Sequence, residues 1–245
     1  VAAMQRSEAL ITALKKSNAE LDQFAYVASH DLKAPLRVIS NAVTWLEEDL
    51  APYMNEDTRE TMALLQGRAK RMEVLLNDLL QHSRIGRVAS PEARVAGGDM
   101  ADGLLELLEV PPGIEVQFPD RFIELQMRKL PLETVLVNLI GNSIKHHDRD
   151  TGRIVVDVVD HGDVLTFRVE DDGPGIEPSY HERIFEVFQT LQSRDQLESS
   201  GMGLAFVKKY IDVAGGAIRV VSDGLRGTTF EFQWPKELSQ QDRAA

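Results

Sequence analysis

The residues whose types and spacing could do chemistry fall in a few short segments. The first is SHDLKAPLR, which sets His30 directly before Asp31. A neutral imidazole has one donor and one acceptor nitrogen, and a carboxylate at the donor fixes the tautomer. The other nitrogen then carries a lone pair. His30 could be a nucleophile reached by a separate domain, with Asp31 orienting it and stabilising the imidazolium as it forms. A solvated helix face is the plainer reading of His30 alone.

The second segment, NLIGNSIK, spaces Asn138, Asn142 and Lys145 four and three apart, on one side of a helix. An amide oxygen is a hard ligand suited to magnesium, and a lysine suits a phosphate. A polar network between helices would use the same residues. In EDDGPGI, residues 170–176, Gly173 and Gly175 make a tight turn that lets a flat ligand approach backbone. Asp171 could accept a hydrogen bond from an exocyclic amine there. SSGMGLA, residues 199–205, puts Gly201, Gly203 and Leu204 at the start of a helix, where free amides and the dipole attract phosphate. It is no Walker motif, since Gly-Lys-Ser/Thr does not follow. GTTF, residues 227–230, places Thr228 at the head of a strand, where a simple glycine turn is the alternative. Between EDDGPGI and SSGMGLA lie IFEVF (184–188), with Phe185 and Phe188 as apolar anchors, and the polar stretch 189–199. That stretch suits a mobile lid, from which Arg194 could reach a terminal phosphate.

Two kinds of element must position these residues. Residues 4 to about 50 read as one helix, with Ile11, Leu14, Leu21, Ala25, Ala28, Leu32, Ile39, Ala42 and Leu46 on a heptad seam. His30 falls outside that seam, Asn18 lies on it, and Pro35 should kink the helix. After a connector at 51–57, a second heptad run holds Met62, Leu65, Ala69, Met72, Leu76 and Leu79. Two such helices make an antiparallel hairpin. One hairpin leaves much of its apolar stripe uncovered, so two should pair into a four-helix bundle and the protein should be a homodimer. From 88 to 98, Pro91, Gly97 and Gly98 suggest a linker. Beyond it, helices at 100–108, 130–145 and 201–214 alternate with strands at 154–159, 164–170, 217–222 and 228–234. The fold class expected is α+β: a long helical hairpin, then a sandwich of one sheet with helices on one face.

Composition sets the outer limits. The 245 residues suffice for one large or two ordinary domains. With 27 Lys and Arg against 39 Asp and Glu, the net charge of -12 argues against a nucleic-acid surface and against docking on an anionic membrane. The absence of cysteine excludes disulfides, thiolate nucleophiles and Cys-based zinc sites. No apolar run approaches the roughly 18 residues of a membrane span, and no signal peptide is visible. A cytoplasmic fragment of a longer chain is expected, since the sequence begins with Val.

In their order and spacing the segments resemble a sensor histidine kinase of two-component signalling, over almost the entire chain. SHDLKAPLR looks like the phosphoacceptor H box, NLIGNSIK like the N box, and EDDGPGI like the first glycine box. IFEVF looks like the F box, and SGMGLA and GTTF like the later glycine boxes. The wording around His30 and the short lid are most similar to the phytochrome- and PAS-linked kinases. The resemblance implies a signalling coiled coil at 1–22, a dimerisation and histidine-phosphotransfer domain at 23–88 and a linker at 89–97. A catalytic ATP-binding domain of the kind shared with gyrase would follow at 98–238, with a tail at 239–245. It implies ATP and Mg2+ as ligands, a response-regulator receiver domain as partner and a sensor domain upstream. It makes His30 the phosphoacceptor, Asp31 its acidic helper and Asn142 a magnesium ligand. Asn138 and Lys145 would lie near the phosphates, and Asp171 would recognise adenine in a pocket formed with Gly173 and Gly175. Gly201 and Gly203 would hinge the lid beside the triphosphate, Leu204 would be among the nucleotide-binding residues, and Thr228 would sit at the adenine end. Two positions depart from the pattern. Ala34 stands where bifunctional members carry the Thr or Asn thought to position water for dephosphorylating the partner, and Val187 stands where many have Pro in the F box.

Two other functions use the same features. A hydrolytic ATPase of the same superfamily would need a Glu four residues before Asn142, where this chain has Asn138. A non-catalytic scaffold or pseudokinase that binds a receiver domain need not bind Mg-ATP at all.

Overall fold

The computed structural model describes residues 27, 31–85, 93–189 and 201–236. The chain divides into two compact units, Val1–Arg84 and Ile85–Ala245. His30, Arg194 and the polar stretch expected to form a lid lie outside the described residues.

The first unit is a helical hairpin. Helix α1 is described over 31–50 and continues through Pro35. Pro52 lies in a short 3-10 turn, Ala51–Tyr53, after which α2 runs over Glu56–Arg84. The Asn55 side chain starts α2 by accepting the N–H and hydroxyl of Thr58 at 2.8 and 2.7 Å, which satisfies a donor that a helix start leaves unpaired. Lys33 Nζ donates to Asn77 Oδ1 at 2.8 Å, and Gln66 Nε2 donates to Glu47 Oε2. These pairings, the outer partner of one helix with the outer partner of the other, make the hairpin antiparallel.

The apolar residues of the hairpin form two rows, each with a step of seven. Leu36 and Val43 on α1, with Met62 and Ala69 on α2, are buried within one copy. Leu32, Ile39 and Leu46 on α1, with Leu65 and Met72 on α2, are at least half exposed. The seam expected on α1 is therefore the outward row, and the inward row at 36 and 43 was not on it. The physical reason is that a bundle helix is flanked by two neighbours, so it carries an apolar row for each.

The second unit opens with β1, Arg94–Ala96, and α3, Gly97–Leu107. Residues 94–97 were expected to end a linker; β1 instead pairs antiparallel with β3, Gln126–Arg128. Between them lie β2, Ile114–Gln117, and the single turn α4, Asp120–Ile123. Then come α5, Leu132–Lys145; β4, Gly152–Asp160; β5, Val164–Asp171; α6, Gly203–Val213; β6, Ile218–Val221; and β7, Thr228–Pro235. The main sheet has the order β2-β4-β5-β7-β6. β2 lies parallel to β4, and every other pair is antiparallel.

Alternation along the strands decides which face is covered. Ile154, Val156 and Val158 of β4, Leu165, Phe167 and Val169 of β5, and Phe230, Phe232 and Trp234 of β7 are buried. They share one core with Leu132, Val135, Leu136, Leu139 and Ile140 of α5 and Val207 and Ile211 of α6. Phe167 and Phe232 stack with centroids 5.1 Å apart. The opposite face is polar: Glu231 accepts from Arg168 Nε at 2.8 Å and from Arg219 Nε at 2.9 Å. No described helix is long and apolar enough to cross a membrane.

Candidate functional site

The burial alternation of β5 continues to its last residue and puts Asp171 on the core side. Asp171 is 8% exposed. Its Oδ2 accepts the Ser143 hydroxyl at 2.9 Å, and its Oδ1 accepts the Gly173 N–H at 3.0 Å. Burial pushes this carboxyl above the ordinary carboxylate range, against the pull of its donors Ser143, Gly173 and Thr228 and of the nearby His147. Thr228, also buried, lies opposite Asp171 in the β5–β7 register.

The next residue has the reverse environment. Asp172 Oδ1 accepts the Arg153 N–H at 2.7 Å and lies 3.1 Å from His147 Nε2. Its Oδ2 accepts from Arg149 at 3.0 Å. The Arg153 N–H, with His147 and Arg149, holds its carboxyl down at about 2. Of two adjacent carboxylates, Asp172 is paired with His147 and Arg149 and Asp171 is buried on the core side. The sequence signal for Asp171 was its place at a strand end; the His147–Asp172–Arg149 cluster had none.

A ligand that uses Asp171 as an acceptor must loosen as pH falls through that carboxyl's raised range, because protonation removes the acceptor. Affinity for such a ligand is expected to begin falling at a pH above the usual Asp value of about 4, while Asp172 stays ionised. A binding titration followed from pH 8 downwards checks this; affinity held constant down to about pH 4 would contradict it.

The glycine turns lock to one another. Gly227 N–H donates to the Gly173 carbonyl at 2.8 Å. Ser222 Oγ donates to the Gly227 carbonyl at 2.7 Å and accepts the Ile176 N–H at 2.9 Å. Gly175 has φ +80°, a left-handed conformation that a side chain would strain. This fastens EDDGPGI to GTTF, beside Asp171 and Thr228.

The other end of the site is the start of α6. Among the described residues no side-chain hydrogen bond caps it at Met202, and a helix start of that kind presents its first amides to an anion. A Cβ at Gly203 would stand 2.9 Å from Asn138 Oδ1 and 3.9 Å from Asn142 Nδ2. The two asparagines of α5 and the glycine at the start of α6 are therefore in close approach. Asn138 Nδ2 donates to the Thr134 carbonyl at 2.8 Å, which leaves its oxygen toward Gly203. Just before α6, Gly201 accepts the Phe188 N–H at 3.1 Å, which ties the IFEVF segment to SGMGLA. Lys145 is the last residue of α5 and is exposed. Leu204 is half-buried against the core.

α5 thus joins both ends of the site. Ser143 holds Asp171, and Asn138, five residues earlier, faces Gly203, a separation of roughly 7.5 Å along the helix axis. Among the described residues no group of three or more His, Cys, Asp or Glu could hold a metal ion. The arrangement does fit magnesium of the kind that keeps its waters and is held by one or two protein oxygens plus phosphates. Asn142, whose amide lies beside Gly203, carries the kind of oxygen such an ion would need.

Two family models match the chain. One, described as the His Kinase A (phospho-acceptor) domain, matches residues 20–87. The other, described as the histidine kinase-, DNA gyrase B- and HSP90-like ATPase, matches residues 127–238. The chain is 35% identical over 89% of its length to cyanobacterial phytochrome B of Nostoc sp.. It is 33% identical over 91% of its length to the methanogenesis regulatory histidine kinase FilI of Methanothrix harundinacea. It spans 30% and 25% of the lengths of those two relatives. Among solved structures, full-length ShkA in complex with AMPPNP matches with a TM-score of 0.63 and 25% identity, over 89% of this chain and 46% of that one.

Proposed function

The chain belongs to the sensor histidine kinases, with a phospho-acceptor domain followed by an ATPase domain, and we propose that it phosphorylates His30 from Mg-ATP and passes the phosphoryl group to an aspartate of a receiver domain. The dimerisation domain implies a homodimer, whose second copy would cover the outward row of Leu32, Ile39, Leu46, Leu65 and Met72. The observation that carries the nucleotide reading is α5, which holds a buried acceptor, Asp171, at one end of the site and meets an uncapped helix start at the other.

In this reading Asp171 accepts the exocyclic amine of adenine. Gly173 and Gly175 shape the turn around the base, with Thr228 beside it. The open amides of Gly203 and Leu204 take phosphate oxygens, with Asn138 and Lys145 near them. Asn142 would hold magnesium, which would supply charge to neutralise the phosphate oxygens. Gly201 hinges the segment from which Arg194 would reach the terminal phosphate. The His30 imidazole then attacks the γ-phosphorus in line: the N–P bond forms, the bond to the bridging oxygen breaks, and ADP leaves with the electron pair. Asp31 stabilises the imidazolium formed. Catalysis of such a transfer is mostly positioning and charge neutralisation. Sharing ATP and a receiver domain, the reaction belongs in the cytoplasm.

The hydrolytic alternative needs a base beside the attacking water. At position 138 the side chain is an amide, already donating to Thr134, and it cannot take a proton. The test is incubation with γ-labelled ATP and magnesium. The protein is expected to acquire acid-labile, alkali-stable label, as a phosphoramidate does, and to lose it to receiver domains in a profiling series. Free phosphate without labelled protein would favour the hydrolase, and failure to bind Mg-ATP would favour a scaffold.

A further inference from the structure

One buried polar group beside the site has no part in the mechanism above. Ser143 is 5% exposed on α5, and its hydroxyl donates to Asp171 Oδ2 at 2.9 Å across 28 residues of sequence. Gly173 N–H holds Oδ1 from a different element, the turn after β5. A carboxylate held at both oxygens by two elements cannot rotate to meet another base edge. The Ser143 proton is spent on Asp171, so neither partner keeps a donor for the ligand. What remains toward the base is acceptor capacity alone, since an ionised carboxylate only accepts. A 6-aminopurine presents an N–H and pairs with it. A 6-oxopurine presents a carbonyl oxygen, which sets acceptor against acceptor at a buried site, where an unpaired polar group is costly.

Building on the ATP site proposed above, we propose that Ser143 is a positioning residue for Asp171, and that its hydroxyl makes the site take 6-aminopurine nucleotides and turn away 6-oxopurine nucleotides. Without that hydroxyl Oδ2 loses its donor, and the carboxyl, still held by the Gly173 and Thr228 N–H groups, can take up a proton there and donate to a 6-oxo group. The discrimination then weakens from both sides.

The test compares Ser143→Ala and Ser143→Thr with the wild-type chain, by titration with ATP and with inosine triphosphate, both with magnesium, and by label incorporation against ATP concentration. Ser143→Ala is expected to weaken ATP about ten-fold, the equivalent of ~1.4 kcal/mol. The ratio of inosine triphosphate to ATP dissociation constants should shrink by a similar factor. The change should fall on KM, with kcat at saturating ATP nearly unaltered. Ser143→Thr keeps the hydroxyl and should restore the ratio. An equal loss for both nucleotides in Ser143→Ala overturns the proposal, as does a folded Ser143→Thr without discrimination. If Ser143→Ala does not fold, Ser143→Thr decides by the same ratio. Wild-type protein that binds neither nucleotide would instead refute the ATP site.

Discussion

Asp171→Asn is expected to weaken Mg-ATP binding about 100-fold while the chain stays folded. Loss of one partner from a buried, charged hydrogen bond costs 2–5 kcal/mol or more in binding, and a factor of 100 is ~2.7 kcal/mol. Asparagine also turns one acceptor into a donor. Its amide nitrogen must face either the Ser143 hydroxyl or the Gly173 N–H, which now meet Asp171 Oδ2 and Oδ1. Stability should move little, for a reason in the sign of the shift. Burial raises the Asp171 carboxyl above its ordinary value, so the folded state binds a proton more tightly than the unfolded chain. Stability then declines as pH rises from the unfolded value through the raised folded one. At neutral pH the ionised carboxylate is a cost, and neutral asparagine relieves it. Nucleotide titration alongside a thermal melt checks both parts. Affinity within about three-fold of wild type in a folded variant, ~0.6 kcal/mol, would remove Asp171 from the site.

His30→Gln is expected to abolish covalent label and leave nucleotide affinity unchanged. Glutamine keeps polarity and roughly the size of the side chain but has no basic nitrogen to attack phosphorus. The residues proposed for the nucleotide belong to the second unit and His30 to the first, so binding and labelling should separate cleanly. Asp171→Asn should lose both. The check is γ-labelled ATP with each variant at equal protein concentration. Label on His30→Gln equal to wild type would show that the phosphoacceptor is another residue.

How much was legible depended on whether a signal was local. The period of seven in α1 was plain, but period alone does not say which row faces inward. Leu36 and Val43 took that place, because Lys33–Asn77 and Glu47–Gln66 set the rotation of one helix against the other. Asp171 was read from its place at a strand end and from the family motif, and the burial alternation of β5 puts it on the core side. Ser143 sat in plain view. The buried stripe of α5 runs Leu136, Leu139, Ile140, Ser143, and a serine in an apolar slot asks for a partner. The partner is 28 residues away, which spacing on one helix cannot show. The strands β1, β2 and β3 have three or four residues each, too few for a periodic pattern. β1 pairs with residues thirty or more positions on. The cluster of His147, Asp172 and Arg149 likewise exists only once α5 and β5 are packed.

The order of the main sheet has a consequence for how the protein behaves at high concentration. The long strands β4, β5 and β7 lie inside the sheet, while β2 and β6, four residues each, lie at its two margins. Marginal strands expose unpaired amides and carbonyls that can template pairing with another molecule, and short, charged margins suppress this. β2 carries Glu115 exposed, and Arg219 of β6 is tied to Glu231. Runaway strand-on-strand growth is thus poorly supported in this unit. The exposed apolar row lies on the helical hairpin, where pairing of two copies, as proposed, would cover it and stop.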